Sequence, residues 1–162
     1  MAFETDLRSM ARHLTDILSD SRETITTAEN VYAFKRVEYG EPATILEWPL
    51  LSVQPISKSR DIKTLRKYEL GFEIHLILFH GEVSKTHKIQ EETHRRAEAI
   101  EHFIMSDRKW NFIDSADKSK DRIIHGIVTK LDHPFVTMGE TALWSASRLV
   151  LEGLSEEVFQ NV

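Results

Sequence analysis

Eight histidines and the complete absence of cysteine bound the chemistry open to this chain. Without thiols there is no disulfide framework, no thiolate nucleophile and no thiolate metal site, which suits a reducing compartment. Imidazoles and carboxylates remain. His87, Glu91 and His94 fall on one predicted helix, and Glu91-x-x-His94 matches half of the ligand set used in di-iron bundles. That chemistry needs a second such motif and two further helices carrying carboxylates, and the sequence supplies neither. Together with His102 the same residues are those a small metal-assisted hydrolase would draw on, but there is no His-Glu-x-x-His. The simpler reading is a solvated, polar helix face. His75 alternates with Glu73 on a predicted strand and reads as an interface or partly buried histidine. His125 and His133 stand alone, and sequence gives them no role.

Nucleophile and phosphate motifs are equally absent. There is no Gly-x-Ser-x-Gly elbow, and Ser145 and Ser147 fall in the middle of a predicted strand rather than on a sharp turn. Six scattered glycines form neither a Walker loop nor Gly-x-Gly-x-x-Gly. Glu91/Glu92 and Glu156/Glu157 are neighbours in sequence, not carboxylates opposed across a cleft. The expectation is a protein that is not an enzyme and needs no cofactor or metal.

The elements that position these residues follow from periodicity. A length of 162 residues fits one domain, with 41% hydrophobic and 29% charged residues. Leu7, Met10, Ala11, Leu14, Ile17 and Leu18 form one apolar stripe, predicting a helix from about Thr5 to Asp20. Thr24 to Tyr39 is rich in Thr and Val and leans towards extended structure. The stretch Ile45 to Pro55 is strand-like but carries Pro49 and Pro55, so the strand must lie at an edge, be bulged, or begin at Pro49. Ser57 to Lys67 reads as a long polar hairpin loop. Tyr68, Leu70, Phe72, Ile74, Leu76 and Leu78 then alternate with Glu69, Gly71, Glu73 and His75. That pattern is a half-buried strand, covered on both faces where Ile77 and Phe79 join it. His80-Gly81 is expected to turn the chain.

A second helix is predicted from about Thr86 to Ser106, burying Ile89, Thr93, Ala97, Ile100, Phe103 and Ile104. Asn111 to Asp121 is a polar connector, and strands follow at Arg122 to Leu131 and Thr141 to Leu151. The fold class expected is α+β: a mainly antiparallel sheet of four to five strands with two amphipathic helices packed on one face. Residues 1–152 would form the single domain and residues 153–162 a C-terminal tail.

Two segments point to assembly. Lys58, Arg60, Lys63, Arg66 and Lys67 make the predicted loop basic within a chain of net charge −5. The tail places Val158 and Phe159 after an acidic pair, as a short docking arm would. With Glu73 and His75, these are the candidate subunit or partner contacts. The acidic total argues against general duplex-DNA binding, which rests on phosphate neutralisation. No segment has the run of apolar residues a membrane span needs, and Met1 to Asp6 carries no secretory signal.

The opening helix, Trp48-Pro49-Leu50-Leu51-Ser52-Val53, the polar loop, Tyr68-Glu69-Leu70-Gly71-Phe72-Glu73-Ile74, the charged helix and Ala146-Ser147-Arg148-Leu149-Val150-Leu151 follow one another in an order that resembles the tail terminator and neck proteins of tailed bacteriophages. The resemblance implies a hexameric ring that caps the tail tube, stops its polymerisation and offers an attachment surface to neck and connector proteins, and to a sheath where the tail contracts. It also implies a place in the virion after assembly in the host cytoplasm, with genomic DNA passing through the lumen unread. An adjacent neck or connector protein, or a non-viral adaptor that binds a partner through a sheet edge, are the alternatives.

Overall fold

The computed structural model describes residues 6–42, 47–62, 67–82, 87–106, 124–133, 135–138 and 142–158. Helix α1 (Asp6–Asp20) is followed by strands β1 (Arg36–Tyr39), β2 (Leu50–Ile62) and β3 (Lys67–Glu82). Helix α2 (His87–Ser106) then leads to β4 (Ile124–Asp132), β5 (Phe135–Met138) and β6 (Ala142–Val158). The sheet order is β1-β2-β3-β6-β4, with β5 also paired to β6. β4 and β5 line the same long strand in succession, β4 against Arg148–Ser155 and β5 against Ala142–Ser145. All pairings are antiparallel except β1 with β2. This is the α+β, mainly antiparallel architecture that the periodicities predict.

Cross-strand register explains the core. Val53, Leu76, Leu149 and Leu131 form one row across four strands, and Pro55, Ile74, Leu151 and Val128 form the next. On that face α1 packs over β1 and β2, and α2 over β4 and β6. The stripe of α1 (Met10, Ala11, Leu14, Leu18) and that of α2 (Ala97, Ile100, Ile104) are all 5% exposed or less. Thr93 is buried with them, as its place in the predicted stripe requires.

The ambiguous segment after α1 is a short loop rather than a strand. A bridge pairs Thr26 with Tyr32, the Asn30 N–H donates to the Thr27 carbonyl at 2.9 Å, and Asn30 takes a φ of 59° that asparagine tolerates. The loop inserts Ile25, Ala33 and Phe34 into the core, which accounts for its apolar content. Gly40, at φ 83°, then turns the chain after β1 while its N–H donates to the Val53 carbonyl at 2.8 Å.

The prolines act as predicted. β2 begins directly after Pro49, and the Trp48–Pro49 bond is cis. Pro55 lies beyond Val53, the last residue paired with β1, and its register slips between Pro55 and Ser57. A residue without an N–H is tolerated at such a bulged edge.

Three expectations are corrected. The basic segment is not a long loop. Lys58, Arg60 and Ile62 are paired with Phe72, Leu70 and Tyr68, so only residues 63–66, outside the described residues, join the two strands. Ser57, Lys58, Ser59, Arg60 and Asp61 are all polar, and that polarity alone suggested a loop. His80-Gly81 does not end the strand, because β3 continues to Glu82 through a register shift after Phe79. Nor does a tail start at residue 153: β6 runs on to Val158, which pairs with Lys67. The connector Asn111–Asp121 lies outside the described residues.

Candidate functional site

Strands β3, β6 and β4 turn their second face away from both helices. At the β1 end of β3 that face is closed, since Leu50, Phe79 and Ala146 form a row no more than 3% exposed. In its middle Arg148 faces Asp132, directly opposite in register. The guanidinium donates from Nε to Oδ1 at 3.0 Å and from Nη2 to Oδ2 at 2.5 Å. This paired hydrogen bonding holds the Asp132 carboxyl below the usual carboxylate range and raises Arg148.

Further along, the face opens into a groove of about 570 Å³ crossing all four long strands. Ser57 and Ser59, Gly71 and Glu73, Gly126 and Ile127, and Glu152 and Gly153 line it. Gly71 lies on the same face as Glu73, while Gly126 and Gly153 pair with each other on the opposite face and border the groove through their backbones. Glu73 and Glu152 oppose each other across β3 and β6, with Ile127 next in the row and 53% exposed. His75 Nε2 stands 2.6 Å from Glu73 Oε1, two residues along the same strand face.

The predicted contact residues divide accordingly. Glu73 and His75 meet at the groove. Lys58, Arg60, Lys67 and Val158 take ladder positions at the far end of the sheet. Lys63, Arg66 and Phe159 lie outside the described residues.

A second polar cluster, missed in the sequence, lies under α2. Ser147, 0% exposed, places Oγ 3.0 Å from His80 Nε2 and 2.7 Å from His133 Nδ1. His94 of α2 stacks on His133 with ring centroids 3.8 Å apart. Burial, reinforced by Arg96 and the two neighbouring imidazoles, pushes His80 down to about 3, and burial also lowers His133. Both rings are therefore neutral at pH 7, and each can donate from only one nitrogen. A serine beside an imidazole is the geometry of an activated nucleophile. Here the hydroxyl is fully covered, and the three residues instead tie β3, β6 and the β4–β5 junction together beneath α2. Only the separation of these residues by tens of positions hid the cluster, since nothing in local spacing links residues 80, 133 and 147.

The half-motif on α2 is engaged in ion pairs. Glu91 lies 4.0 Å from Arg95, which also pairs with Glu29 at 2.8 Å and so fastens α2 to the loop after α1. Glu92 pairs with Arg96 at 2.6 Å. Among the described residues no group of three or more His, Asp or Glu side chains is placed to hold a metal ion, and no helix there is long and apolar enough to cross a membrane. Compared with protein-family models and with curated proteins, the chain matches none.

Proposed function

We propose that the chain is a structural assembly subunit, a tail terminator of a tailed bacteriophage. Copies would join head to tail in a ring, probed first as a hexamer, that caps the tail tube and stops its growth. The observation that carries this reading is the half-covered sheet. Two helices close one face, while the other presents a groove, an exposed Ile127 and opposed carboxylates. A closed ring needs two different patches on each subunit. The groove supplies one, and the end of the β2–β3 hairpin supplies another.

On this reading the ring takes tube protein on one side and neck or connector proteins on the other, with a sheath as a further neighbour in a contractile tail. It performs no turnover and requires no cofactor. The acidic total suits a lumen through which DNA slides without fixed phosphate contacts. Sedimentation velocity and electron microscopy of the purified chain with tail tubes test the proposal. A ring on tube ends is the expected result, and a strictly monomeric protein that leaves tube ends bare contradicts it.

A partner-binding adaptor is the second reading. β1 covers β2 only from Leu50 to Val53, so a peptide strand has room to extend the sheet past that point. Recovery of a defined soluble partner that competes with such a peptide, with no binding to tubes, selects it.

A further inference from the structure

The sheet has two borders that no described strand covers. β1 pairs with β2 only as far as Val53, and residues 54–62 follow with their outer side open. β4 pairs with β6 on one side, and among the described residues no strand lies on the other. The β4 edge is nine residues long, the length of the open stretch of β2.

Backbone groups point out of both edges. In an antiparallel ladder successive residues bond alternately to one side and the other. The Val53 carbonyl accepts from the Gly40 N–H, so Val53 faces outwards, and past the bulge the alternation turns Lys58 and Arg60 outwards too. On β4 the Val128 N–H points outwards to the Met105 thioether at 3.4 Å, and the same alternation turns Gly126 outwards. A thioether is a weak acceptor. Such edges are templates for another strand. Exposed apolar side chains gather there as well: Ile56 in the β2 bulge is 46% exposed, Ile127 53% and Met105 44%. Among the described residues only Tyr32 joins them as an exposed large hydrophobic.

Direction and register show what fits. Three antiparallel pairings separate β2 from β4, so the two strands run in opposite directions. A second copy set alongside in the same orientation therefore brings its β2 antiparallel to β4, with all helices on one face of the joined sheet. In full overlap Lys58 of one copy meets Val128 of the next and Arg60 meets Gly126, outward group against outward group. The irregularity at Pro55/Ser57 then falls opposite the one at Val128/Lys130, so neither bulge breaks the alignment. An added peptide would satisfy one edge and leave the other open, whereas repeated copies satisfy both with one kind of contact.

We infer that the β4 edge takes residues 54–62 of a second copy's β2, joining the two sheets into one. The junction rests on the ring reading and names the contact that would build it. It uses two different patches, so repetition closes a ring or extends a filament.

The chain has no cysteine, so introduced thiols report this contact alone. Ser57→Cys and Thr129→Cys alter exposed positions that the overlap sets opposite each other. They are made singly and together in the full chain, checked for folding by circular dichroism, and treated with a short bismaleimide. The double variant should give a ladder of covalent oligomers, and mixed single variants a dimer that neither gives alone. Lys58→Pro removes one outward N–H and leaves the inner ladder intact, so it should weaken self-association at least about tenfold in sedimentation velocity. Should that variant fail to fold, the crosslinks decide alone.

Dimers from either single variant at the yield of the mixture mean that like edges meet, and overturn the assignment. A folded Lys58→Pro that associates as wild type overturns it too. Absence of the mixed dimer while wild type sediments as an oligomer overturns the junction but leaves a ring built on other contacts. A wild type that stays monomeric at every concentration overturns the junction in solution, and whether it still caps tubes then decides the ring reading separately.

Discussion

Glu73 and Glu152 stand directly opposite each other on β3 and β6, two carboxylates where cross-strand pairs ordinarily attract. Their neighbours sharpen the point, because Ser57 precedes them in the row and the exposed Ile127 follows. Of the two carboxylates, Glu73 has His75 Nε2 at 2.6 Å, while Glu152 stands exposed beside Ile127.

Removing one of these charges separates folding from assembly. Glu152→Gln should stabilise the isolated chain slightly, by about 0.3 kcal/mol, since screening at this exposed position limits the repulsion. The same change should weaken self-association. Urea titration at low protein concentration reads the first effect and sedimentation velocity the second.

The core gives the opposite signature. Leu149 is 0% exposed in the row that joins Val53, Leu76 and Leu131, so Leu149→Ala should cost about 2–5 kcal/mol of stability. Ile127→Ala should leave stability nearly unchanged and reduce association. Chemical denaturation of both variants distinguishes the two kinds of apolar residue.

Ser147→Ala should destabilise the fold by about 1–3 kcal/mol, because it strips a partner from both His80 and His133 in a covered site. Adding His80→Leu to that background should recover part of the loss by removing one stranded polar group. Paired denaturation curves of the single and double variants measure the coupling.

The same histidines make stability depend on pH. His80 takes up a proton near pH 6.5 in the unfolded chain but only near 3 in the folded one. The unfolded state binds more protons between those values, so stability is full above pH 6.5 and falls as pH drops towards 3. The expected slope is about 1.4 kcal/mol per pH unit from this one group. His133, also lowered by burial, acts in the same direction. Asp132 contributes only further down, as its carboxyl is protonated below the ordinary range. Melting temperatures across pH 4 to 8 check the sign, and His80→Leu should flatten the curve.

The sequence shows its helices and central strands plainly, because both helices and β3 bury one face and leave the other wet. The periods of α1 (Leu7 to Leu18) and β3 (Phe72 to Leu78) therefore stand out. It conceals elements whose residues are mostly polar or too few to show a period. Ser57–Ile62 and Gly153–Val158 pair through their backbones while their side chains stay mostly polar, so composition placed them in a loop and a tail. β5, four residues beside a turn, is too short for a pattern. That Glu73 and His75 share one strand face was legible by alternation. The groove itself was not, because its glycines at 71, 126 and 153 converge only when three separate strands align.

Tube termination is the decisive measurement for a tail-terminator role. Tail-tube protein is polymerised with and without a substoichiometric amount of the purified chain, and tube lengths and ends are scored by electron microscopy. A terminator gives shorter tubes, each carrying a ring at one end only, with no growth from capped ends when fresh tube protein is added. Tubes of unchanged length with bare ends, at concentrations where the chain is folded, rule that role out.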